Sequence, residues 1–138
     1  MARILAIDYG IKRTGIAVTD PLQIIATGLT TIQSAELIPF LKKYLLEEIV
    51  ELIIIGMPKN WDLSETHGTK PAMQAVETIK KAFPAMPVKE VDERFTSKMA
   101  KDAMIEMGMK KKDRKNKKIV DKIAATIILQ EYLLSISF

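Results

Sequence analysis

The sequence predicts an α/β fold, a mixed five-stranded sheet in which three antiparallel strands lead into two parallel ones, flanked by helices. Three observations carry this expectation. β-Prone runs joined by short turns fill the first 32 residues. A wholly apolar run, Leu52-Ile53-Ile54-Ile55, then lies between stretches of helical periodicity. The resulting order βββ-α-β-α-β-α-α is that of a mixed sheet with helices on both faces.

The first strand is the run of residues 3–9, ending in Asp8-Tyr9, after which Gly10 and Gly15 bracket a turn. Residues 14–19 are β-prone and stop at Asp20-Pro21, and residues 24–32 form a third β-rich stretch. Connections this short predict an antiparallel meander. Ser34 offers an N-cap to a helix whose apolar positions Leu37, Phe40, Leu41, Tyr44 and Leu45 recur at helical spacing. Pro39 fits that helix only within its first turn. Residues 51–56 lack any polar alternation, as expected of a parallel strand covered on both faces. Residues 71–83 read as a helix with Pro71 near its start, and residues 87–92 as a short strand ending in charge. Thr96 or Ser97 caps a further helix that stops at Gly108. The last helix is expected to begin near Val120 or Asp121, with Ile123, Ile127 and Leu134 on a broad apolar face. Nothing repeats internally, and residues 1–138 read as one domain.

Composition narrows the chemistry. The chain has no cysteine, which excludes disulfides, thiolate zinc sites and iron–sulfur clusters. His67 is its one histidine, leaving little material for a Ser-His-Asp triad. Catalysis therefore falls to carboxylates, lysines, arginines or hydroxyls, and carboxylates are the hard oxygen ligands of Mg²⁺ or Mn²⁺. The most apolar tract, residues 119–134, is broken by Asp121, Lys122, Gln130 and Glu131. No run therefore approaches the roughly 20 apolar residues of a membrane helix. The start of the chain enters a strand directly, without the apolar core of a signal peptide, so a cytoplasmic protein is expected. The net charge of +4 is unevenly spread: Lys110, Lys111, Lys112, Arg114, Lys115, Lys117 and Lys118 fall within nine positions, a third of the 21 basic residues. Such a run is ordinarily a solvated connection, yet it also suits a polyphosphate partner.

Three constellations carry candidate chemistry. Asp8 ends a buried strand beside a glycine turn, where a metal ligand is held rigidly, with Lys12 and Arg13 at the hairpin tip within reach of phosphate oxygens. An Asp that merely shapes the turn is the plain alternative. Asp92, Glu93 and Arg94 sit where a strand gives way to a helix and read either as a surface charge cluster or as a second ligand with an arginine for phosphate. Asp121 suits the first turn of a helix through the dipole alone. Ala124 and Ala125, three and four residues on, would let that helix lie close to the sheet and bring Asp121 to the strand ends. Phosphodiester hydrolysis explains why carboxylates would converge: two divalent cations, about 3.5–4 Å apart, activate water and neutralise the charge developing on the phosphate.

Together these segments resemble the YqgF family, also called RuvX or pre-16S rRNA nuclease, a bacterial branch of the ribonuclease H-like superfamily related to the RuvC resolvases. Four blocks match in order: D-x-G-x-K-R-x-G-x-A at residues 8–17, closed by Asp20; G-x-P at residues 56–58; D-E-R-x-T-S at residues 92–97; and D-x-x-A-A-x-x-I-L-Q-x-Y-L at residues 121–133. The resemblance spans residues 4–134. It implies a nuclease with Asp8, Asp92, Glu93 and Asp121 as catalytic positions and Mg²⁺ or Mn²⁺, two ions, held by Asp8, by Asp92 or preferably Glu93, and by Asp121. Lys12, Arg13, Arg94 and the basic run would be substrate contacts. One departure stands out: after Pro58 the family soon reaches a glycine, whereas here residues 59–67, including Trp61 and His67, precede Gly68. Trp61 reads as a loop anchor or a base-stacking platform.

The implied partner is nucleic acid: the 5′ end of 16S rRNA precursor first, branched DNA as the alternative. A monomer serves the former, and a resolvase cutting two symmetry-related strands calls for a homodimer. A non-catalytic RNA-binding assembly factor is a third reading. Asp8-Tyr9-Gly10 also resembles the phosphate turn of sugar kinases and actin-like ATPases, but those close two such domains around a nucleotide.

Overall fold

Strands that are apolar at every position need cover on both sides, and the architecture supplies it. The computed structural model describes residues 2–58, 69–93, 102, 105, 106, 108 and 116–136. Among these, β1 (Arg3–Tyr9), β2 (Arg13–Thr19), β3 (Ala26–Gln33), β4 (Val50–Pro58) and β5 (Val88–Glu93) form one sheet in the order β3-β2-β1-β4-β5. The pairs β1–β2 and β2–β3 are antiparallel, and β1–β4 and β4–β5 are parallel, which is the expected mixed sheet. The long helices are α1 (Leu37–Glu47), α2 (Thr69–Ala82) and α3 (Lys117–Ile136).

Alternation along β1 divides the core. Leu5 and Ile7 turn to one face, where they join Ile16, Val18, Ile53 and Ile55 beneath Leu37 and Leu41 of α1 and Val76 and Ile79 of α2. Ile4 and Ala6 turn to the other face, meeting Ala17 and Ile54 beneath Ala125, Ile128, Leu129 and Leu133 of α3. Burying side chains such as Leu5 or Ile55 contributes roughly 1.5–3 kcal/mol each. The first face is built of large residues and holds two helices. The second mixes alanines with large residues, and α3 lies close against it at Gly15.

Several local expectations change. Ser34 does not cap α1; it opens a short 3-10 turn, Ser34–Glu36, and no side chain caps either segment. Its hydroxyl is already engaged with Thr14 Oγ1 at 2.8 Å and with the Gly10 carbonyl. Pro39 does lie in the first turn of α1. The last helix begins a turn earlier than expected, at Lys117, because Asn116 caps it: its Oδ1 accepts from the Lys118 amide at 3.0 Å, and its carbonyl accepts from Val120 at 3.1 Å. Leu134, expected on the buried face, is 60% exposed, and its neighbour Leu133 is the residue that turns inward. Most of the helix expected after Thr96 lies outside the described residues, although Gly108 has the left-handed φ of 72° of a helix-ending glycine.

Asp20 organises the β2–β3 connection. Its Oδ1 accepts from the amides of Ile24 at 2.7 Å and Ile25 at 2.8 Å. The Ile25 amide, followed by that of Ile24, holds the carboxyl below its ordinary range. A carboxyl lowered in this way stabilises the fold above its unfolded pKa, about 3.9, and the contribution is lost as pH falls through the lower folded value. Asp20→Ala is therefore expected to melt below wild type at neutral pH. The gap should close as both proteins are titrated into acid; a gap independent of pH in thermal melts would contradict the assignment.

Candidate functional site

The parity that takes Ile4 and Ala6 to the α3 face carries Asp8 to the same side, since strand side chains alternate. Asp8 is half-buried at the end of β1 and pairs directly with Gly15 of β2. The α3 backbone rests on that glycine. A Cβ at position 15 would lie 2.1 Å from the Asp121 carbonyl oxygen and 2.5 Å from its carbonyl carbon. Only glycine permits this approach, and the fully buried Ala6, Ala17 and Ala125, which share one cluster, extend it along the interface. The helix thus sets Asp121 over the cross-strand partner of Asp8, as the alanine pair led one to expect.

Arg13, two residues before Gly15 and on the same parity, reaches Asp121. Its Nε donates to Asp121 Oδ2 at 3.0 Å, with side-chain exposures of 31% and 22%. A pair this accessible contributes on the order of 1 kcal/mol, so its larger role is to fix where the two groups sit. The hairpin tip is braced from beneath. The Gly10 amide donates to the Arg13 carbonyl at 2.9 Å, and the Ser34 amide donates to the Lys12 carbonyl at 2.9 Å. Lys12 itself is exposed at the tip.

On the far side of β1, the parallel register pairs Gly56 with Val91, Met57 with Asp92 and Pro58 with Glu93. Val91 packs against the α3-side cluster, whereas Met57 belongs to the α1/α2 side. Asp92 therefore has the parity of Met57, and it is exposed. Position 93 returns to the parity of Val91 and Asp8. Glu93 is described by its backbone alone. Among the described residues, no three His, Cys, Asp or Glu side chains gather closely enough to hold a metal ion.

The early start of α3 moves Asp121 into the second turn, so the helix dipole is not what places it. It also moves Lys117 and Lys118 out of the loop and into the first turn, where both are exposed. Cations at a helix N-terminus are locally unfavourable. Arg94, Lys110, Lys111, Lys112, Arg114 and Lys115 lie outside the described residues, as do Trp61 and His67. Asp20 sits beyond the other end of β2, away from Asp8. The Arg13–Asp121 pair was not foreseen from sequence; its partners are 108 positions apart, and no spacing rule joins them.

The fold has counterparts of known structure. The fowlpox virus resolvase, solved with Holliday junction DNA, superposes with a TM-score of 0.60 at 18% identity over 97% of this chain and 98% of that one. Thermus thermophilus RuvC, solved with a Holliday junction substrate, gives 0.54 at 16% identity over 99% and 96%. The chain thus shares the fold of these two resolvases. Residues 2–135 match the RuvX family, described as Holliday junction resolvase, and the chain belongs to that family. A Bacteroides fragilis relative is 56% identical over 133 residues, 96% of each chain, and one from Bacteroides thetaiotaomicron is 55% identical over the full length of both. Both are provisionally named pre-16S rRNA nuclease.

The contact between Gly15 and α3 is open to test. Gly15→Ala is expected to destabilise the protein by about 1–3 kcal/mol, the usual cost of overpacking. A urea midpoint unchanged from wild type would show that α3 does not bear on this residue.

Proposed function

We propose that the protein hydrolyses phosphodiester bonds in structured nucleic acid with Mg²⁺ or Mn²⁺, two ions, and that it processes the 5′ end of 16S rRNA precursor. The observation that carries the catalytic reading is the seating of Asp121 on Gly15, the strand partner of Asp8. The donor set fits a hard divalent ion: Asp8 and Asp121 are oxygen ligands from a strand end and a helix, and position 93 shares the parity of Asp8. Parity favours Glu93 over Asp92 as the third ligand, leaving Asp92 to support the catalytic strand end from the other face. When bound, such ions would supply Lewis-acid activation of the attacking water and offset charge on the phosphate.

The chain's own residues then bind and orient. Lys12 presents an ammonium at the hairpin tip, and Arg13 lies where its guanidinium meets both Asp121 and an incoming phosphate. Lys117 and Lys118 place two cations one turn before Asp121, a local electrostatic cost that a polyanionic partner offsets. Arg94 and the rest of the basic run, Lys110, Lys111, Lys112, Arg114 and Lys115, would be further contacts for the same polyanion. The rRNA assignment rests on the names of the Bacteroides relatives.

Resolution of branched DNA is the second reading, favoured by the family's description and by the two resolvases whose fold it shares. It calls for a stable homodimer, which sedimentation of the purified protein would detect.

The catalytic assignment is tested with purified variants, precursor rRNA and four-way junctions, with and without Mn²⁺. Asp8→Asn and Asp121→Asn should each reduce cleavage at least about a hundredfold, as loss of a metal ligand's charge implies, while keeping wild-type circular dichroism. Glu93→Gln should match them, and Asp92→Asn should cost less. Wild-type rates for both Asp8→Asn and Asp121→Asn would place the chemistry elsewhere. Neutralising the basic run should weaken binding to every sequence and flatten its salt dependence. An unchanged salt slope would make those charges spectators.

A further inference from the structure

We propose that the groove between α3 and the edge strand β3 is a docking track for the sugar-phosphate backbone of the nucleic acid, with Lys122 as its central contact. This rests on the nuclease reading above and extends it to residues outside the acidic site. The groove, about 230 Å³, is lined by Leu29, Thr30, Thr31, Lys118, Ile119 and Lys122. Its polar groups are thus two ammonium-bearing side chains and two hydroxyls, with no carboxylate among them. Neither lysine forms an ion pair among the described residues.

Lys118 and Lys122 are four apart on α3 and so share a face of the helix. The groove's wall is tied at one point, where Thr31 Oγ1 donates to the Lys118 carbonyl at 2.6 Å. The stem of Lys122 is laid down on the sheet: a Cβ at Gly28 would lie 2.7 Å from Lys122 Cγ and 2.9 Å from Thr126 Oγ1. A lysine whose methylenes pack against backbone loses less rotamer freedom on binding than a fully mobile one. Gly28 therefore keeps clear the space that this side chain uses.

Register places the groove relative to the acidic site. Asp8 pairs with Gly15, and Gly15 pairs with Thr31, so the groove lies two strand spacings from Asp8. That is roughly 10 Å. A strand crossing the sheet along this line has one phosphate at the carboxylates and a later one between Lys118 and Lys122. Such contacts carry no base information, so they position the strand without choosing its sequence.

The test is binding of a fluorescein-labelled RNA hairpin and a labelled four-way DNA junction, read by anisotropy across a KCl series. Lys122→Met, which keeps the stem over Gly28, should weaken Kd on the order of fivefold at low salt and lower the salt slope by about 0.7–0.9. Lys122→Arg should retain both. Lys80→Met, on the exposed side of α2, is the charge-matched control and should change neither. In the wild-type protein, lysine acetylation followed by mass spectrometry should show Lys118 and Lys122 protected by bound nucleic acid while Lys80 still reacts. That measurement holds even where a variant folds poorly. Equal effects of Lys122→Met and Lys80→Met, or no protection at Lys118 and Lys122, would overturn the groove while leaving cleavage by wild type as evidence for the nuclease. Failure of wild type to bind either probe would overturn both.

Discussion

The backbone of α3 lies directly on Gly15, and the arrangement around it follows from that approach. An ordinary helix is held off a sheet by the side chains between them. Here Gly15 lies under the α3 backbone and Ala6 and Ala17 share a cluster with Ala125 of the helix, so that at these points the spacer is reduced to backbone and methyl groups. Asp121 consequently arrives over the strand partner of Asp8. Its carboxylate is then caught by Arg13 from the next position of like parity on β2. Packing that close leaves little scope for compromise, because interiors at this density absorb added atoms only by moving backbone.

The two faces of the sheet divide the labour between them. The α1/α2 side is filled with leucine, isoleucine and valine and supplies most of the large apolar burial. The α3 side is thinner, with alanines doing much of the packing, and it is the side to which Asp8 and Asp121 belong. Stability drawn mainly from one face leaves the other able to carry acidic and basic side chains at its rim.

How much of this was legible in the sequence depended on whether the signal was local. The five strands were legible because continuous or β-branched apolar runs have few other uses, and β1 has the expected bounds. The proximity of α3 to the sheet was legible from Ala124 and Ala125. Its start was not: Asn116 stands among lysines that read as solvated loop, although an Asn is a ready N-cap. Ser34 misled for the opposite reason, since a serine before a helical pattern looks like a cap until a partner elsewhere, Thr14 and the Gly10 carbonyl, claims its hydroxyl. The face that Asp92 takes needed the pairing of β5 with β4, because alternation is fixed only once one residue's face is known. The Arg13–Asp121 pair and the groove beside Gly28 are products of tertiary contact alone.

The Arg13–Asp121 pair has a consequence for how such a protein matures. Carboxylates assembled on one face repel one another, and many metal sites resolve that repulsion only when the ion arrives, so that folding waits on supply. A guanidinium built into β2 provides an internal counter-charge from the moment α3 docks. Under the proposed metal-dependent reading, folding and ion uptake would then be separate events, with the ion entering a frame already closed by the Arg13–Asp121 pair.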